Sequence, residues 1–210
     1  MHTSTSASSS PIRRWRVVDI VVASVIGVAA GVIFWIWGQA WTPISTALAF
    51  LPGLEGVLAG GWLFAGVLGG LVIRKPGAAL YTEIVAAVVS MVVGTQWGPE
   101  TFIWGVIEGV GAELGFAILL YRNWRLLAAL VSGALAGLST AILDTNFSSV
   151  AAQSLAFRSI YFVSAIVSGI VLAGVVSWLI VRALAATGAL DRFGAGREAR
   201  ARERERADAA

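Results

Sequence analysis

Long apolar runs alternate with short polar breaks along the whole chain. The runs cover residues 17–37, 56–73, 78–93, 101–121, 126–143 and 160–184. The first, VVDIVVASVIGVAAGVIFWIW, has 21 residues. At 1.5 Å per residue it matches a hydrocarbon core of about 30 Å. It is too long for a secretory signal core of roughly 7–15 residues, and no clear A-x-A site follows it. The pattern predicts an all-α bundle of six transmembrane helices over residues 17–186. A disordered polar and basic tail (1–16) precedes it. A charged tail (187–210) follows, in which REARARERERAD alternates in sign.

The breaks set the orientation. Residues 38–55 form a long, semi-apolar connection with two prolines, and residues 144–159 a Ser-rich one containing Asn146, Gln153 and Arg158. RKPG (74–77) and RNWR (122–125) are tight basic turns, and 94–100 turns the chain back. The tails and the two basic turns hold every Lys and Arg except Arg158 and Arg182, which lies near the inner end of the last run. Positive residues mark the cytoplasmic side, so both termini are expected there. Glu55, Glu100 and Asp144 then fall on the outer side, where they read as solvated or capping residues.

Composition narrows the class. The chain is 58% hydrophobic and 13% charged, against about 25% charged in ordinary soluble domains. A net charge of +3 carried by arginines beside the spans reflects topology, not nucleic-acid binding. The chain has no cysteine, and its single histidine, His2, lies in the tail, so disulfides, thiolate zinc sites and histidine relays are excluded. No G-x-x-x-x-G-K-[ST], H-E-x-x-H or G-x-S-x-G motif is present. ATP hydrolysis must therefore come from elsewhere, and neither an enzyme nor a cofactor is expected.

Candidate chemistry concentrates in residues 94–113, GTQWGPETFIWGVIEGVGAE. An acid inside a spanning segment is costly and marks a functional site by default. Glu83, Glu108, Glu113 and the near-edge Asp19 are the interior acids, with no lysine to balance them. One-signed interior charge suits a cation or protons. Trp104 lies one turn before Glu108, and an indole above a carboxylate suits a flat, positively charged ring. Glu83 is placed nearer the cytoplasmic side, and Glu113 past the midplane. Trp97, Gln96, Trp35, Trp37 and Asn146 lie at the outer level and are expected to complete the walls. Ala23, Gly27 and Gly31 recur every four residues, a small-residue stripe that lets another helix approach closely. A stand-alone proton-coupled carrier and a ligand-free membrane scaffold are the competing readings.

The segments IRKPGAALYTEIVAA (73–87), GTQWGPETFIWGVIEGVGAELGFAILLYRNW (94–124) and GVIFWIWGQAW (31–41) resemble the YkoE-type substrate-binding (S) components of energy-coupling factor (ECF) transporters. The resemblance spans 17–186. It implies an S component that captures thiamine or its hydroxymethylpyrimidine precursor from outside. It further implies a membrane-embedded T component and two ATPase subunits or domains as partners, with lipid around the bundle. The transported vitamin is the ligand. On this resemblance Glu108 and Glu113 carry binding, and Ala23, Gly27 and Gly31 dock the T component.

Overall fold

The computed structural model describes residues 14–208. Residues 1–13, which include His2 and most of the tail expected to be disordered, lie outside the described residues. Helix α1 (Val17–Leu48) is 32 residues long. A 3-10 segment (Leu54–Trp62) leads into α2 (Phe64–Ile73), followed by α3 (Ala78–Val93), α4 (Glu100–Ile118) and α5 (Leu126–Phe147). After a 3-10 turn (Ser149–Ala152), α6 (Leu155–Ser168), a π-helical stretch (Gly169–Val175) and α7 (Val176–Ala186) form one continuous rod. Helix α8 (Gly194–Asp208) closes the chain.

Five of the rods are long and apolar enough to cross a membrane: Val17–Leu48, Leu54–Ile73, Glu100–Ile118, Leu126–Phe147 and Leu155–Ala186. The apolar α3 is shorter, at 16 residues. α2 is the central helix, with nine of its ten residues buried, Ala65 through Ile73. α1 packs on α3, α3 on α4, α4 on α5, and α5 on the last rod.

Several boundaries differ from those the hydrophobic pattern predicts. α1 continues past Pro43 to Leu48, so much of the expected 38–55 connection is helical. α5 runs on through Asp144 and Asn146 to Phe147. Its polar side chains bond back onto their own helix: Thr145 Oγ1 donates to the Ala141 carbonyl at 2.6 Å, and Asn146 Nδ2 to Ile142 at 2.7 Å. α4 ends sooner than predicted because Leu120 and Tyr121 turn into the left-handed region, at φ 53° and 55°.

Irregular backbone at membrane depth must be satisfied by protein. Serines of the last rod do this for the 3-10 segment. Ser164 Oγ donates to the Gly53 carbonyl at 3.0 Å, and Ser168 Oγ donates to Val57 and accepts from the Gly60 N–H at 2.9 Å.

The small-residue stripe of α1 is consumed inside the bundle. Ala23, Gly27 and Gly31 are buried. A Cβ at Gly27 would lie 2.7 Å from Val85 Cβ, and one at Gly31 would lie 2.6 Å from Val89 Cβ. The stripe is therefore the α1–α3 seam, not a docking face open to a partner, which corrects the expectation for these three residues. The outward face of α1 carries Val21, Val25, Val28, Val32 and Ile36 instead.

One end of the bundle holds the basic turns and most of the packed core. Asp19 is fully buried there, with its carboxylate between Arg16 (2.9 Å) and Lys75. The beginning of the 187–210 tail joins this core: Leu190, Phe193 and Ala195 are buried in it, and Glu198 pairs with Arg74 at 3.0 Å. At the opposite end the bundle is hollow.

Candidate functional site

The hollow end encloses a cavity of about 200 Å³. Three helical stripes face it. α4 contributes Thr101, Trp104, Gly105 and Glu108; α5 contributes Thr140 and Asp144, with Ser148 just past its end; α3 contributes Glu83, Ala87 and Ser90. The α4 and α5 spacings of three and four residues put each set on one face of its helix. Tyr161 of α6 and Phe34 of α1 complete the wall.

Three indoles, Trp41, Trp62 and Trp97, gather at the mouth. Their ring centroids lie 5.2 Å apart for Trp62–Trp97, 5.6 Å for Trp41–Trp62 and 6.2 Å for Trp41–Trp97. Trp62 is fixed by its own Nε1–H, which donates to the Phe34 carbonyl at 3.2 Å. Trp97 is 37% exposed and sits outermost. Edge-to-face indoles present both faces and edges to a flat guest.

The polar groups behind the indoles are carboxylates. Asp144 accepts from Trp104 Nε1 at 2.9 Å and from the Tyr161 hydroxyl at 2.6 Å. Glu108, 6% exposed, accepts from the Thr140 hydroxyl at 2.8 Å. Glu83, 1% exposed, accepts from the Gly66 N–H at 2.6 Å through Oε2. Among the described residues, Glu83 Oε1 and Thr101 Oγ1 are buried without a hydrogen-bond partner, and both residues belong to the cavity wall. Among the described residues, no lysine, arginine or histidine lines the cavity. An anionic guest would meet repulsion here, whereas a cation or a hydrogen-bond donor would meet acceptors.

Four of the sequence candidates, Glu83, Glu108, Trp97 and Trp104, line the cavity. Glu113 does not. It faces the basic end, where it accepts from the N–H groups of Gly77 (2.6 Å), Ala79 (2.9 Å) and Leu80 (3.3 Å) and from the Tyr121 hydroxyl (2.8 Å). It caps the start of α3, whose first N–H groups have no intrahelical acceptor. Gln96, Trp35 and Asn146 also lie off the cavity. Gln96 Nε2 ties the 94–99 turn to the Gly38 carbonyl at 3.1 Å, and Asn146 bonds its own helix. Trp37 supports the cage from behind, 6.3 Å from Trp62. Asp144, Thr140, Tyr161 and Trp62 were not among the sequence candidates. The four-residue spacing of Thr140 and Asp144 at the end of an apolar run is the available signal.

The comparisons agree on a transport component and differ in the substrate that they name. Residues 18–139 match the family of the ABC-type cobalt transport system, permease component. The Bacillus subtilis (strain 168) protein YkoE, which is named as an HMP/thiamine permease protein, is 30% identical over 190 residues. The match covers 89% of this chain and 93% of that protein. The crystal structure of an S-component of an ECF transporter superposes with a TM-score of 0.87 at 29% identity, covering 94% of this chain and 99% of the other.

Proposed function

Because this chain belongs to the YkoE-type S components of ECF transporters, within the ABC-type cobalt transport permease family, we propose that it captures thiamine or its hydroxymethylpyrimidine precursor for import across a bacterial plasma membrane. The observation that carries this reading is the cavity itself: four acidic side chains, Glu83, Glu100, Glu108 and Asp144, and a cluster of indoles, with no cationic side chain on its wall among the described residues. Thiamine pairs a fixed positive ring with a flat aminopyrimidine. The carboxylates suit the charge, and the indoles suit both rings through stacking and cation–π contact. A cobalt ion is a poorer fit, since no group of three metal-ligating side chains occurs among the described residues.

In this reading α3 is a sixth span, and the basic end with both termini is cytoplasmic by the positive-inside rule. The cavity then opens outward. A T component and two ATPase subunits or domains supply the energy, since the chain has no phosphate-binding loop. A stand-alone carrier that cycles protons on Glu83 and Glu108 is the second reading, favoured by the uncompensated acids.

Calorimetric titration of the purified protein with thiamine and with hydroxymethylpyrimidine tests capture. Saturable binding, weakened in Glu108→Gln, is expected. Uptake into proteoliposomes separates the two readings: the first requires the partner ATPase complex and ATP, and uptake without them selects the second.

A further inference from the structure

The switch from 3-10 to α-helix inside the second rod has a chemical consequence at the cavity. α2 begins at Phe64, so the N–H groups of its first turn have no acceptor within the α-helix itself. The N–H of Gly66 is one of these, and it is donated to Glu83 Oε2 at 2.6 Å. A Cβ on residue 66 would stand 3.0 Å from that oxygen and 3.3 Å from Ala112 Cβ. Glycine is what lets the α2 backbone approach the carboxylate this closely.

The bond leaves the carboxylate half used. Oε1 is buried and has no partner, and Glu83 is one of the residues of the cavity wall. No other acid on the wall bonds to it. Glu108 already holds Thr140, and Asp144 holds Trp104 and Tyr161. Leaving a buried acceptor unpaired costs about 1–3 kcal/mol. A guest that brings an N–H donor recovers that cost, and one that presents a carbonyl oxygen there does not.

We propose that Glu83 selects the guest by accepting an N–H from an amino group on its flat ring, and that Gly66 is the positioning residue that aims the carboxylate. This deepens, and rests on, the reading of the cavity as a vitamin site. It names the feature read, a ring-borne hydrogen-bond donor, and the helix start that aims the reader.

Calorimetry on the full chain with thiamine and with oxythiamine, in which the ring amino group is replaced by a carbonyl oxygen, tests it. The wild type is expected to prefer thiamine by roughly a hundredfold, since sites built around one hydrogen bond reject its mismatch strongly. Glu83→Gln should bring the two ligands to within about threefold, because an amide can turn its NH2 toward a carbonyl. Gly66→Ala should weaken thiamine about tenfold and narrow the preference, since it displaces the carboxylate without removing it. A wild type that binds both ligands equally overturns the proposal, and so does a Glu83→Gln protein that keeps the wild-type ratio. If Glu83→Gln does not fold, Gly66→Ala carries the same comparison. Absence of binding by either ligand to the wild type overturns the vitamin-site reading, and this inference with it.

Discussion

The Tyr161 hydroxyl donates to Asp144 Oδ2 at 2.6 Å, joining α6 to α5 at the cavity wall. Trp104 of α4 takes the other oxygen at 2.9 Å. One carboxylate thus fixes three helices and holds an indole in place. Tyr161→Phe removes one of the two donors and leaves a buried acceptor short, a loss of about 1–3 kcal/mol. The melting temperature in detergent should fall. Ligand affinity should fall less than it does in Glu108→Gln, because Trp104 stays tied to Oδ1. Equal affinity losses in the two variants would place Tyr161 in direct contact with the ligand.

Glu113 makes a contrasting case on the same helix. Its four acceptor bonds all serve the turn between α2 and α3 and the end of α4. Glu113→Gln replaces one acceptor oxygen with a donor facing N–H groups, so about 1–3 kcal/mol of stability is expected to go. Ligand affinity of the folded fraction should stay near the wild-type value. Thermal melts paired with a thiamine titration separate the two effects.

The α1–α3 seam depends on missing side chains. Gly27→Leu or Gly31→Leu must push Val85 or Val89 aside, where even a Cβ comes within 2.7 Å. Overpacking of this kind costs about 1–3 kcal/mol or more. Val28→Leu, one position away but on the exposed face of α1, should be nearly neutral. Comparable destabilisation by Val28→Leu would mean that this outer face is also packed.

Much of this was legible in the chain, for physical reasons that differ by residue. The apolar runs located every rod because lipid demands apolar length, whatever the tertiary packing. Glu83 and Glu108 stood out because an acid in an apolar run is rare and costly. The same rule promoted Glu113, since composition does not reveal which helical face an acid occupies or that a neighbouring turn needs a cap. The apolar run stops just before Asp144, so the pattern reads it as solvated, yet α5 continues through it and turns it inward. The stripe of Ala23, Gly27 and Gly31 announced close helix approach without saying which helix approaches. The 3-10 segment left no readable signal, because its backbone is satisfied by Ser164 and Ser168, more than a hundred residues away.

Trp97 reports on the cavity mouth. It lies within 5.2 Å of Trp62 and 6.2 Å of Trp41, and it is the most exposed of the three. A flat cation seated among these rings should quench the indole emission. Trp97→Ala should weaken thiamine by about fivefold to thirtyfold, the range that a desolvated cation–π contact of about 1–2 kcal/mol implies. Stability should hardly change, since the ring is not core. A fluorescence titration, run beside a melt, reads both quantities.

The C-terminal segment offers the sharpest separation of packing from charge. Glu198 pairs with Arg74 at 3.0 Å, but the side chains are 35% and 17% exposed, and partly exposed ion pairs are worth about 0–1 kcal/mol. Leu190 and Phe193 are 6% and 5% exposed within the main core. Burying side chains of that size is worth about 1.5–3 kcal/mol each. Truncation after residue 198 should therefore leave the melting temperature close to wild type, and Glu198→Ala should lower it only slightly. Truncation before residue 190 removes both apolar anchors and should lower it markedly, while ligand affinity of the protein that still folds is retained, because the cavity is at the opposite end of the bundle. If the shorter truncation were as damaging as the longer one, the charged part of α8, and not its apolar lead-in, would be what fastens the tail.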